Sequence, residues 1–398
     1  MNKDSGKLLR IGVLLDSQAI PDQRHLFRGM WKWLQQHPDR HWQVFYFPRE
    51  ELDTLRNAKC DGFIGSLGTP ALYRLALRMS VPFVQVTHVD HAKGIPCVAL
   101  DERACGRAAA DHFIERGFQR FACVSRGAVG WNGKRLCGYA DRLHEKGLPV
   151  AMLDITKIPG AGTCFNQPDV RRRIAHFIQA QPGPLAVFGA DDFLAMEVAH
   201  ACVAYDIPIP DEVALLGVNN NDVCELVHPP LSSMRQPNQE IGFKAAAVLD
   251  QLIREGSVPE MLTLIPPLPI ITRRSSDRML IDDEDVRHAV EYIQKRFSEQ
   301  ITVDDLARHT SLSRTSLYRR FAQCLGYNPY ASIRKTRLHE ARRLLVQTEI
   351  PVCEVAERCG FRSTASFTTA FGKSEGITPS VYRRRGGPIP GQSSMPRS

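Results

Sequence analysis

What most narrows the fold of this chain is a repeat: ITVDDLARHTSLSRTSLYRRFAQCLGYNP (301–329) is answered by IPVCEVAERCGFRSTASFTTAFGKSEGITP (350–379). Ala307 corresponds to Ala356 and Leu312 to Phe361 at an offset of 49. Ser313 corresponds to Ser363, Leu317 to Phe367, Phe321 to Phe371, Gly326 to Gly376 and Pro329 to Pro379 at an offset of 50, so one residue is added near Arg362. Each copy predicts a helix, a tight turn and a second helix. Thr302 can N-cap the first helix of copy one, and Pro351 can begin that of copy two. Leu306 with Ala307, and Val355 with Ala356, supply the packing face, where a small alanine lets two helices cross closely. Leu317 with Phe321, and Phe367 with Phe371, are i, i+4 pairs that seat the second helix inward. That leaves Thr315, Tyr318 and Arg319 outward in copy one, and Thr364, Ala365, Thr368 and Thr369 outward in copy two. Between the copies, residues 330–346 read as one helix, a rod of about 25 Å, with Ile333, Leu338, Ala341 and Leu345 turned inward.

Charge points the same way. From Arg287 to Arg385 there are 18 lysines and arginines against 9 acidic residues, whereas the rest of the chain has 33 against 34. The net charge of +8 therefore comes entirely from this block. A basic, helical block beside a neutral body suits a polyanion. Two outward helices on a stiff spacer suit successive major grooves, which recur every ~34 Å on one face of B-DNA. The plainer alternatives are a solvated basic face and a pair of helical units that bind protein.

Residues 286–385, and the ending ITPSVYRR above all, resemble the DNA-binding domain of the AraC family of transcription activators. The resemblance implies that Thr315, Tyr318 and Arg319 read bases in one stretch of double-stranded promoter DNA, and Thr364, Ala365, Thr368 and Thr369 in another. Arg319 is the candidate for a bidentate contact to a guanine edge. Arg314, Arg320, Arg362 and Lys373 are expected at phosphates or in solvent. RNA polymerase is the implied protein partner.

Upstream, residues 8–273 alternate short apolar runs (11–16, 42–47, 62–67, 82–88, 121–125, 185–190, 213–218) with helix-like stretches (22–36, 71–79, 105–116, 133–146, 193–205). Alternation of this kind predicts a parallel sheet with helices on both faces. The length predicts two lobes, with any ligand beyond the C-terminal ends of the strands. A polar, poorly periodic stretch (274–285) is expected as a linker, and a Gly-, Pro- and Ser-rich tail (386–398) as disordered. The segments 101–125, 189–222 and 229–236 resemble the effector-binding core of LacI-type repressors and periplasmic sugar-binding proteins. The expected fold is an α/β two-lobed periplasmic-binding-protein-like sensor domain followed by an all-α domain with two helix-turn-helix units.

That pairing implies a sugar-responsive activator with a monosaccharide effector, D-xylose first, bound between two sensor lobes in a homodimer. Polyols suit carboxylates, carboxamides and arginine, which bond adjacent hydroxyls in pairs, and an aromatic ring that covers the apolar sugar face. Arg135, in KRLCGY, falls where the sensor family has its sugar-binding arginine. Asp191 and Asp192 follow one strand run, Asn219 the next and Gln236 the following crossing. Asp16 or Gln18 follows the first strand, and Trp131 or Phe193 is the candidate stacking ring. Each has a plainer reading: Asp192 as a helix cap, Asn219 as a turn residue, Arg135 as an ion-pair member, Trp131 as core.

No apolar run is long enough to span a bilayer, and the N-terminus lacks the apolar core of a secretory signal, so a cytoplasmic protein without membrane association is expected. The eleven cysteines are scattered singly with no C-x-x-C pair, as reduced thiols would be. No cofactor or metal is expected. An enzyme using Asp191 and Asp192 as acid and base is the main rival, but neighbours in sequence point apart and no nucleophile or phosphate loop accompanies them. A sugar-binding adaptor and a regulator that binds a purine are the others.

Overall fold

The computed structural model describes residues 8–15, 20–48, 52–79, 81–87, 94–127, 130–158, 167–280, 283–325, 327–348 and 350–385. The disordered tail expected at 386–398 lies outside them. The sensor half begins β1 Leu8–Leu15, α1 Ile20–Gln36, β2 His41–Pro48, α2 Leu52–Arg56, β3 Gly62–Gly65, α3 Pro70–Arg78, β4 Phe83–Gln85 and β5 Cys97–Leu100. It continues α4 Glu102–Ile114, β6 Phe121–Ser125, α5 Gly130–Glu145, β7 Val150–Asp154, α6 Pro168–Gln179, β8 Leu185–Gly189, α7 Asp192–Ala204 and β9 Val213–Asn219. It ends α8 Val223–Leu226, β10 Ser232–Arg235, α9 Asn238–Glu255, β11 Leu262–Ile265 and β12 Ile270–Ile271.

Two compact units result. One comprises residues 1–106, 126–139 and 236–267, the other 107–125, 140–235 and 268–398. Each holds a six-stranded sheet, and the two share one winding pattern: β2-β1-β3-β4-β5-β11 and β7-β6-β8-β9-β10-β12. All pairings are parallel except β10 with β12. In each sheet the winding reverses beside the first strand, the point where open α/β sheets take up ligands.

Most apolar runs become buried strands in both units, whereas the run at 42–47 forms the edge strand β2, exposed to half-buried along its length. Phe63, Leu14 and Phe83 build the first core with Leu72 and Ala76 of α3. Val124, Val187 and Leu215 build the second with Ile174, Leu194 and Val198 from α6 and α7. In the first unit α1 and α9 meet backbone to backbone. A Cβ on Gly29 would lie 2.0 Å from the Gln239 carbonyl, and one on Gly242 would lie 2.1 Å from that of Leu26.

The stretch expected as a linker differs from that expectation over its first half, because it is fastened to the second unit. Ser275 Oγ donates to the Leu215 carbonyl (2.7 Å) and accepts from the Ser232 amide (2.8 Å). Ser276 Oγ is hydrogen-bonded to His112 Nε2 at 2.8 Å and donates to Ser232 Oγ at 2.7 Å. Arg116 donates to the Ser276 carbonyl and to Thr272 Oγ1, and its own carbonyl accepts from the Leu280 amide at 2.8 Å. Polar residues here are not solvated spacers; they satisfy one another in a buried seam.

Seven helices follow: α10 Glu284–Arg296, α11 Val303–His309, α12 Arg314–Leu325, α13 Pro329–Gln347, α14 Val352–Arg358, α15 Thr364–Glu375 and α16 Pro379–Arg385. They form two cores. Val286, Ala289, Val290 and Ile293 of α10 pack with Leu306, Leu317, Phe321 and Ile333. Leu338, Ala341, Leu344 and Leu345 of α13 pack with Val355, Phe367, Phe371 and Tyr382. The central helix thus serves one core with its first half and the other with its second.

Candidate functional site

Each helix-turn-helix copy is closed by local chemistry. In copy one, Thr302 and Asp305 form a capping box: the Thr302 amide donates to Asp305 Oδ2 at 2.8 Å, and Thr302 Oγ1 accepts from the Asp305 amide. In copy two the first helix starts at Pro351 with no side-chain cap, while Ser363 and Ser366 form the box on α15. The turn between the helices needs a left-handed residue. Ser311 takes it with φ 55° in copy one, and Gly360, its partner at the 49-residue offset, with φ 73° in copy two.

The outward faces follow from what is inward. Leu317 and Phe321 are fully buried, and Thr315, Tyr318 and Arg319 are exposed. Phe367 and Phe371 are fully buried against each other and Tyr382, edge to face at 5.4 and 5.0 Å. Thr364, Ala365 and Thr369 are then exposed and Thr368 half-buried. Arg362 and Lys373 are exposed at the two ends of α15, and Arg314 is exposed beside Asp304 at 3.3 Å. Arg320 differs from expectation: Nη1 donates to Asp285 (2.9 Å) and Asp283 (3.2 Å) at the start of α10, so it holds the domain together instead of standing in solvent.

The two copies share a stiff junction. Residues 297–300, after α10, lie against both the spacer helix and the second turn. Arg337 of α13 donates to the Phe297 carbonyl (2.9 Å) and the Glu299 carbonyl (2.7 Å), and Gln300 Nε2 donates to the Gly360 carbonyl (3.2 Å). A Cβ on Gly360 would sit 2.3 Å from the Phe297 carbonyl, so only glycine fits both the turn and the junction. Arg342 clamps α13 to the end of α15 through Glu375 at 2.6 Å. Two rigid copies on one spacer, each with an exposed N-terminal helix face, make a surface that can follow a duplex.

The sensor candidates divide between the units. Asp16 and Gln18 lie outside the described residues. In the first unit, Arg135 is only 2% exposed; its Nε donates to Glu102 at 2.5 Å and its guanidinium stacks 4.7 Å over the Trp131 ring. Burial pushes the Glu102 carboxyl up, and the guanidinium beside it pulls the other way. Gln236 is half-buried just past β10.

In the second unit the cap of α7 is Asp191, accepting from the Leu194 amide at 2.8 Å, one residue before the position weighed as a cap. Asp192 is fully buried and accepts from the Asn221 amide (2.7 Å) and Ser233 Oγ (2.5 Å). Burial pushes its carboxyl up to about 7 despite these donors. Phe193 is 37% exposed. Asn219 and Asn220 both have positive φ (114° and 54°), and Ser233 Oγ accepts from the Asn220 amide at 2.9 Å. Arg273, at the start of the fastened segment, donates to Asn220 Oδ1 at 3.0 Å. Asp192, Ser233 and the 220–221 loop are thereby one hydrogen-bonded group that reaches the segment leading to α10. Sequence reasoning missed Glu102, Ser233 and Arg273. The run of three asparagines at 219–221 was the available signal for a left-handed loop.

Comparison with known proteins agrees with this architecture. Residues 110–276 match the periplasmic binding protein-like domain family, and residues 306–385 match a helix-turn-helix domain family. No helix among the described residues is long and apolar enough to cross a membrane. The chain joins a periplasmic-binding-protein-like domain to a C-terminal helix-turn-helix domain, the organisation of a DNA-binding transcription regulator. It is similar to the xylose operon regulatory protein of Escherichia coli strain K12, 28% identical over 387 residues that cover 94% of this chain and 96% of that one. The xylose operon regulatory protein of Haemophilus influenzae is 24% identical, over 94% of this chain and 98% of its own. The fold matches the structure of a xylose-binding transcription activator, xylR, with a TM-score of 0.61, 24% identity, and coverage of 96% of this chain and 99% of that one. A ribose-bound LacI family regulator from Enterococcus faecium matches 68% of this chain and 100% of its own, with a TM-score of 0.53 and 21% identity.

Proposed function

We propose that this regulator senses a monosaccharide, D-xylose first, and activates sugar-catabolic genes from the cytoplasm. The observation that carries the reading is that xylose operon regulatory proteins align with it across both the sensor and the DNA-binding domain. The chemistry of these residues suits the ligand: an arginine on a tryptophan face in one unit, carboxylates and carboxamides at strand ends in the other. Arg135, Trp131, Gln236, Asp191 and Asn219 are the proposed contacts. Asp192, sealed and doubly hydrogen-bonded, supports them from behind. Effector shifts the sensor toward the state it binds better, and only by that difference in affinity. The 219–221 loop, held by Arg273, carries the shift to the fastened segment. A homodimer would set two such chains on adjacent half-sites and present them to RNA polymerase, gaining avidity without new base contacts.

The test is direct. In a thermal-shift screen of pentoses and hexoses, D-xylose should raise the melting temperature most, since a ligand of the native state stabilises by RT ln(1 + [L]/Kd). The same sugar should change affinity for a xylose-promoter fragment. If every sugar leaves both readings unmoved, the sugar-sensing proposal fails. A different sugar or a non-sugar ligand is the second reading: the resemblance to LacI-type repressors implies an aspartate at the position of Asn219, and a carboxamide there offers a hydroxyl no charge.

A further inference from the structure

The two exposed helix faces occupy matching positions yet carry different chemistry. Across the 50-residue offset, Arg314 becomes Thr364, Thr315 becomes Ala365, Tyr318 becomes Thr368 and Arg319 becomes Thr369. On α15 these four residues lie at i, i+1, i+4 and i+5 and form one stripe. That stripe offers four methyl groups and three hydroxyls, and no side chain longer than threonine. Its geometry is well set: the Ser363–Ser366 box fixes the helix start, and Phe367 and Phe371 anchor the opposite face at 0% exposure.

Bases in the major groove present donors, acceptors and a single apolar group, the 5-methyl of thymine. A hydroxyl can donate or accept, so it tolerates most base edges. A methyl on the protein discriminates only by meeting another apolar group. We infer that α15 reads thymine methyls, so that this chain's operator joins two unlike halves. One half carries a guanine, read by Arg319. The other is rich in A·T pairs, read by Thr364, Ala365, Thr368 and Thr369. The short side chains require the backbone of α15 to sit close to the bases, and exposed Arg362 and Lys373 flank the stripe to hold phosphates on either side. This assignment rests on the reading of both helices as base-contacting.

The experiment uses the full chain. Bound sites are selected from random duplex DNA, and Arg319→Ala marks the half read by copy one through its altered base preference. In the other half each dT is replaced in turn by dU, which lacks only the 5-methyl. Each contacted methyl should be worth roughly fourfold in affinity, the value of one buried CH₂-sized group. Thr369→Ser and Thr368→Ser, which remove a methyl and keep the hydroxyl, should weaken thymine preference and make dU nearly silent opposite them. Thr369→Val, which keeps the methyls, should preserve it. Affinity unchanged by dU at every position of that half, or preference kept by the serine variants and lost in the valine variant, overturns the inference while leaving DNA binding intact. Failure to select any sequence overturns the base-reading assignment of both helices, and this inference with it.

Discussion

The two helix-turn-helix copies are alike inside and unlike outside. Phe321 and Phe371, Leu317 and Phe367, Leu306 and Val355 occupy matching buried positions, while the faces turned outward share almost nothing. Packing tolerates only residues of the right volume and shape, so the interior of a duplicated unit changes slowly in kind. An exposed face is free of that constraint and takes whatever its partner rewards. The lesson is that fold and specificity are written in interleaved positions of the same helix.

The comparison can be broken first at its cores. Phe321→Ala and Phe371→Ala should each cost about 3–5 kcal/mol by denaturant unfolding, since both rings are fully buried. A cost confined to one copy would mean the two cores are not equivalent. Next come the turns, where matched positions should respond with opposite sign. Gly360→Ala forces a left-handed alanine into the Phe297 carbonyl and should cost at least about 1–2 kcal/mol. Ser311→Gly removes the same left-handed penalty and should be neutral or stabilising by up to about 1 kcal/mol. Thermal unfolding of the pair checks this.

On DNA the asymmetry should appear as magnitude. Arg319→Ala should cost about 1–3 kcal/mol of binding and relax specificity at one base pair, whereas Thr369→Ala should cost less. Equal losses in a binding titration would erase the contrast. Arg320→Ala, whose half-buried side chain pairs with Asp283 and Asp285, should lower stability by no more than about 1 kcal/mol and leave base preference untouched. A change in base preference would restore Arg320 to the DNA-facing set.

The smallest effect is pH-dependent. Hydrogen bonds from Thr302 hold the Asp305 carboxyl below its usual range. A depressed carboxyl contributes stability above the unfolded value, about pH 4, and loses it as pH falls through the folded value. Copy two has no side-chain cap at the matching helix start. Hydrogen exchange below pH 4 should therefore loosen α11 more than α14, and equal loosening would deny the capping box its role.

Much of this was legible in the chain itself. The apolar stretches 11–15, 62–65, 121–125, 185–189 and 213–218 became strands because burying such runs needs no information beyond their own composition. Other elements were not legible. β10 reads Ser-Ser-Met-Arg and has almost no apolar signal; it is a strand because β9 and β12 pair with its backbone. The partners of Arg320 lie more than thirty residues upstream, and His112 meets Ser276 across 164 residues, so no local pattern announces either. The same distance hid the Glu102–Arg135 pair and turned an expected tether into a buried seam.

By itself, then, the order of residues determined the duplicated helical units, their inward residues, their outward chemistry and the wound parallel sheets. Those follow from periodicity and side-chain volume, which act over a few turns or strands. Tertiary structure alone decided which polar groups became partners: Arg320 with the start of α10, Gly360 against the Phe297 carbonyl, Arg273 with Asn220. Polar groups pair with whatever the fold brings within about 3 Å, and that proximity is a property of the assembled chain.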